Sequence, residues 1–131
     1  MRSGDFEGAA RRHGILLLLQ FGSTVTGATH PGSDLDIGVL VEHVPDSFET
    51  LSDLVTDVQA LFPGQDVDVA ILNHADPLFL RRVMDEARLL FGAPRRFAEL
   101  RLLAFKRYQD YRPYLAFERE YVARHVTPQA S

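Results

Sequence analysis

The chain has 131 residues, enough for one domain with its own core, and its shares of 46% apolar and 24% charged residues are those of a globular protein. Cysteine is absent, which excludes disulfides, zinc–thiolate sites and cysteine nucleophiles and leaves nothing to indicate an oxidising compartment. The net charge of −4 is unevenly spread: residues 1–80 hold 3 Lys/Arg against 12 Asp/Glu (−9), residues 81–131 hold 11 against 6 (+5). An acidic half suits bound cations and a basic half suits phosphates or an acidic partner, while the acidic total argues against a general nucleic-acid binder.

Along the chain, Met1 to Arg12 is too mixed in character for a signal peptide, and Asp5 to Arg12 reads as a short opening helix. Ile15 to Phe21 is a nearly continuous apolar run ended by Gly22-Ser23, which favours a buried strand. Its cleanest part, Ile15 to Leu19, is far shorter than a membrane span, so a cytoplasmic protein with no membrane partner is expected. A short helix over Thr24 to Ala28 and a loop at His30-Pro31-Gly32-Ser33 follow, then a second buried strand from Asp34 to Val41. After Pro45-Asp46-Ser47, the positions Phe48, Leu51, Leu54, Val55, Val58, Leu61 and Phe62 recur at three and four, the period of an amphipathic helix closed by Pro63-Gly64.

Asp66 to Leu72 is a third strand, with Val67, Val69 and Ile71 on one face and Asp66 and Asp68 on the other. Asp76-Pro77 caps and opens a helix, and Arg88 to Phe91 is a short fourth strand before Gly92-Ala93-Pro94. From Arg95 the spacing of Phe97, Leu100, Ala104, Tyr108, Tyr111 and Leu115 is helical, and Pro113 is expected to kink or divide that helix. The fold expected is α+β, a small mixed sheet of three to four strands, with helices covering one face. It forms a single domain over residues 1–131, with a core of about 13–92 and a helical segment of about 95–125.

The chemistry is concentrated between Phe21 and Asp36. Asp34 and Asp36 stand two apart on a strand, so their carboxylates project from one face, where like charges raise the cost of ionisation unless a cation relieves them. Magnesium, a hard ion held by carboxylates together with phosphate oxygens, meets that need. Gly22 has no Cβ to keep the backbone away from a ligand, and Ser23 offers a hydroxyl and an N–H where a helix begins, a seat for phosphate. If the Asp66–Leu72 strand pairs beside the Asp34–Val41 strand, one of its two carboxylates completes a three-carboxylate site able to hold two metal ions about 3.5–4 Å apart. The five histidines show no metal-ligand spacing and are expected at the surface or as caps; the four tyrosines fit helix packing. No Gly-x-Ser-x-Gly or Gly-Lys-Ser/Thr element is present.

Gly22-Ser23, ten residues, Asp34-x-Asp36 and a later strand Asp68 resemble the polymerase-beta-like nucleotidyltransferase superfamily, and more closely its minimal nucleotidyltransferases, over roughly Ile15 to Phe91. The resemblance implies that Gly22 and Ser23 contact the triphosphate, that Asp34 and Asp36 bind both magnesium ions, and that Asp68 binds the catalytic one. Asp68 is preferred over Asp66 because an alternating apolar run, Val69 to Leu72, follows it. The resemblance further implies transfer of AMP from ATP to a hydroxyl, and a small all-helical HEPN toxin as partner, silenced by adenylylation of a tyrosine. The alternatives are an antitoxin acting by contact alone and a transferase for a small molecule such as an aminoglycoside. In one respect the chain departs from the pattern. Many minimal members carry arginines just after the Gly-Ser pair, whereas Thr24 and Thr26 stand here, leaving phosphate countercharge to arginines of the basic half.

Overall fold

The computed structural model describes residues 3–22 and 34–125. In chain order these form α1 (Ser3–His13), β1 (Ile15–Phe21), β2 (Leu35–Val41), α2 (Phe48–Ala60), β3 (Val67–Ile71), α3 (Pro77–Glu86), β4 (Arg88–Gly92) and α4 (Pro94–His125). The helix expected over Thr24–Ala28 and the loop at His30–Ser33 lie outside the described residues. Helix starts follow local chemistry. The Ser47 hydroxyl accepts the Thr50 N–H at 3.1 Å to open α2, and the Asp76 carboxylate accepts the N–H groups of Leu78 and Phe79 to open α3, with Pro77 at the first helical position.

The four strands lie in the order β3-β2-β1-β4, with β1 antiparallel to both β2 and β4, and β2 parallel to β3. α2 makes the crossover between the parallel pair, as a parallel connection requires.

Helices cover both faces of this sheet, not the single face expected. On one side Ile15, Leu18, Leu35, Ile37, Val39, Val41 and Val67 pack with Ala9 and Ala10 of α1 and Leu54 and Val58 of α2. On the other, Leu17, Leu19 and Leu72 pack with Leu80, Val83 and Met84 of α3 and Leu100 and Ala104 of α4. The reason lies in β1, whose Leu17, Leu18 and Leu19 are all fully buried. A run that is apolar at successive positions must be covered on both sides.

Only the beginning of α4 takes part in that core. Beyond Ala104 no residue of the helix is buried, and Phe105, Tyr114, Phe117, Tyr121 and Val122 are exposed. Tyr114 and Tyr121 therefore do not pack as expected. Nor does Pro113 divide the helix, which runs unbroken from Pro94 to His125. Among the described residues no helix is long and apolar enough to cross a membrane.

Candidate active site

The parallel pairing of β2 with β3 sets Asp36 directly beside Asp68. Adjacent strands are about 4.8 Å apart, so two carboxylates at one register position stand side by side on one face. That face is the one covered by α3 and α4, since Asp36 alternates with Ile37 and Asp68 with Val67 and Val69, which belong to the opposite side. The register is anchored at this end by the Leu35 N–H, which donates to the Asp66 carbonyl at 2.8 Å. Asp66 thus serves through its backbone.

On its other edge β2 meets β1, where Phe21 pairs with Asp36. The next residue, Gly22, has φ +83°, a conformation that favours glycine, and a Cβ there would collide with the Asp36 carboxylate. Gly22 therefore makes room for the Asp36 carboxylate, a tighter constraint than the open approach to a ligand inferred from sequence. Its N–H donates to Glu86 Oε2 at 3.1 Å, tying the end of β1 to the last turn of α3.

These residues line a cleft of about 270 Å³ that includes Gly22, Asp36, Asp68, Phe79, Arg82 and Glu86. Phe79 packs edge-on against Phe21, with ring centroids 5.8 Å apart, to form an apolar wall. The Asp36 carboxyl is held above its ordinary pKa, first by burial, then by the negative charges of Asp68 and Asp34; the Arg82 cation opposes this and Glu86 adds to it.

Of the residues singled out from sequence, Gly22, Asp36 and Asp68 come together at the cleft. Asp34 is exposed just before β2, near enough for its charge to bear on Asp36, but it does not line the cleft. Ser23, with Thr24, Thr26 and His30, lies outside the described residues. Among the described residues no group of three His, Cys, Asp or Glu side chains forms a ready metal cluster. The Asp36–Asp68 pair nonetheless fits a hard cation in its chemistry: oxygen donors only, crowded like charges, and one arginine to offset them.

Arg82, Glu86 and Phe79 were missed by sequence reasoning. Their signal was faint: an arginine and a glutamate four apart on a helix following the Asp68 strand, which is also an ordinary solvent-exposed pattern.

A model of the family described as polymerase beta, nucleotidyltransferase, matches residues 7–96. No curated protein matches the chain significantly. Solved structures do, beginning with a toxin–antitoxin bound to AMP-PNP, at TM-score 0.71 and 22% identity over 98% of this chain and 100% of that one. Another is a tri-AMPylated Shewanella oneidensis HEPN toxin in complex with MNT antitoxin, at TM-score 0.64 and 22% identity over 95% of each chain. A spectinomycin adenyltransferase from Enterococcus faecialis with ATP and spectinomycin matches more loosely, at TM-score 0.51 and 15% identity over 69% of this chain and 54% of that one. The strand order, the paired carboxylates and a family match covering well over half of the 131 residues agree: the chain belongs to the polymerase beta nucleotidyltransferase family.

Proposed function

We propose that this protein transfers AMP from ATP to a hydroxyl of a partner protein, in the manner of an antitoxin that modifies a HEPN toxin. The observation that carries the reading is Asp36 and Asp68 in register across two parallel strands, beside the Gly22 turn. Chains of toxin–antitoxin complexes match along nearly their whole length, one of them with an AMPylated HEPN toxin. The small-molecule alternative is less favoured, because this chain spans only about half of the spectinomycin enzyme it matches.

Asp36 and Asp68, with Asp34 at the rim, would hold magnesium, which neutralises and aligns the triphosphate for in-line displacement. The residues of the chain do the rest. Phe21 and Phe79 wall the cleft and exclude water from one side. Gly22 keeps the backbone clear of the Asp36 carboxylate, and Ser23, next in sequence, would contact phosphate. The acceptor oxygen forms a bond to the α-phosphorus, the bond to the bridging oxygen breaks, and pyrophosphate leaves with that electron pair. Asp68, exposed on β3, takes the acceptor's proton. Catalysis is then mostly positioning and charge stabilisation.

Intact mass spectrometry of a HEPN toxin supplied as the candidate partner, after incubation with the chain, ATP and magnesium, tests the reading. One or more AMP additions to a partner tyrosine are expected, and they should vanish with Asp36→Ala. Full neutralisation of the partner by Asp36→Ala with no added mass in either sample would establish an antitoxin acting by contact alone.

A further inference from the structure

Two pairs of opposite charge stand side by side on α3, each with the four-residue spacing that favours an ion pair. The first pair closes. Arg81 Nε bonds both oxygens of Asp85, at 3.1 and 3.0 Å, and its guanidinium lies 4.6 Å from the Tyr108 ring centroid and 5.6 Å from that of Phe105. The second pair stays open. Glu86 is engaged by the Gly22 N–H, and among the described residues Arg82 has no ion-pair partner. Yet Arg82 lines the cleft with Gly22, Asp36 and Asp68 and is the cation whose charge bears on Asp36.

An arginine left unpaired beside three carboxylates calls for an explanation, since a surface ion pair would have formed at little cost. Glu86 supplies part of it, because its carboxylate is engaged by the Gly22 N–H. The Gly22 turn, bonded to Glu86, and Arg82, one turn back along α3, line the same cleft and so share any anion bound in it. Thr24 and Thr26 bring no charge after the Gly22-Ser23 pair, and a triphosphate carries several negative charges to be met.

We propose that Arg82 binds the phosphates of the nucleoside triphosphate beyond the one transferred, supplying from α3 the countercharge that the Gly22-Ser23 turn lacks. The assignment rests on the nucleotidyl-transfer reading. A planar guanidinium suits phosphate oxygens by its paired donors, and it would stabilise the charge gathering on the leaving pyrophosphate.

Calorimetric titration of the full chain with ATP and with AMP, each in magnesium, provides the test. Loss of one charge-assisted contact should weaken ATP binding by Arg82→Gln by about tenfold or more while leaving AMP binding unchanged. Arg82→Lys, which keeps the charge, should retain most of the ATP affinity. Arg81→Gln should melt earlier and bind both nucleotides as the wild type does, because Arg81 is committed to Asp85 and Tyr108. Arg82 is exposed, so its variants should fold, and circular dichroism melts would verify it. Unchanged ATP affinity in Arg82→Gln, or equal losses for ATP and AMP, would overturn the assignment. Wild-type protein without magnesium-dependent ATP binding would overturn the nucleotidyl-transfer reading itself, and the role of Arg82 with it.

Discussion

Toward α1 and α2, β2 presents Leu35, Ile37, Val39 and Val41, all buried, and β3 presents Val67, Val69 and Ile71. Toward α3 and α4 the same two strands present Asp36, Gly38 and Leu40, and Asp68 and Ala70, with Leu72 following β3. Strand periodicity makes this division possible, since successive side chains alternate between faces. The first face is uniformly apolar and holds the sheet to its helices. The second changes along its length, from a packed end at Leu72 and Met84 to a charged end at Asp36 and Asp68. A small sheet can tolerate crowded carboxylates at one corner because the opposite face of the same strands carries so much of the burial.

If that division of labour holds, the largest effects should come from the charged corner and should be seen in catalysis. Asp68→Asn is expected to lower the AMP-transfer rate by several orders of magnitude while sparing most ATP affinity, because Asp68 acts chiefly on the attacking hydroxyl. Asp66→Asn should be far milder. Asp66 lies outside β3 and its structural contribution is the carbonyl that accepts the Leu35 N–H, which the substitution keeps. Single-turnover rates with ATP titrations on both variants would measure the contrast. The reverse ranking would show that the register of β3 does not set the site.

The sealed face is expected to show its role in stability. Ile37 is fully buried, and Ile37→Ala should cost about 2–5 kcal/mol. On the opposite face Gly38→Ala adds a methyl whose carbon would lie 2.9 Å from Leu72 Cδ1, and Leu72 is itself buried. Overpacking of that kind costs about 1–3 kcal/mol, partly offset by the stiffer unfolded chain. Denaturant melts should therefore rank Ile37→Ala as the more damaging, with Gly38→Ala next. A stabilised Gly38→Ala would show that the packed end of the second face is looser than its geometry indicates.

Much of this arrangement could be read before the structure. The strands at Ile15–Phe21 and Asp34–Val41 followed from composition, and the spacing of Asp34, Asp36 and Asp68 pointed to the corner where two of them meet. What could not be read depends on which elements come back together. Glu86 reaches Gly22 across 64 residues of chain, and no local pattern announces that contact. Coverage of one face was expected from helices alternating with strands along the chain, whereas the unbroken apolar run of β1 demands cover on both sides. Pro113 was expected to interrupt α4 because it removes one hydrogen bond and crowds the preceding turn. Its place on the exposed half of the helix explains the difference: Gln109, whose carbonyl loses its partner, is exposed, so water can satisfy it.

The smallest expected effect is also the one that separates the two faces by sign. Beneath α1 and α2, His13 Nε2 lies 2.6 Å from Asp57 Oδ2, and Arg12 bonds the same oxygen at 3.2 Å. His13, expected at the surface, is instead largely covered and links two helices. The bond from His13 does most to hold the Asp57 carboxyl below its ordinary value of 3.8; burial, the next influence, opposes it, and the bond and charge of Arg12 lower it further. At the cleft, burial, Asp68 and Asp34 hold Asp36 above that value. A lowered carboxylate stabilises the fold at pH above 3.8, and that contribution is lost as pH falls through its folded pKa. For a raised carboxylate the sign reverses: the folded state binds the proton more tightly, and stability declines as pH rises from 3.8 through the folded pKa. Urea melts of the metal-free protein across this range should then diverge. Asp57→Asn should be less stable than wild type at neutral pH, and the deficit should shrink in acid below 3.8. Asp36→Asn should match wild type near 3.8 and gain on it as pH rises, by a margin kept small by the solvent that reaches the cleft. Magnesium should narrow that gap by relieving repulsion in the wild type alone. Parallel curves for the two variants would mean that the two carboxylates do not differ in environment, and that the charged corner is no more strained than the sealed face.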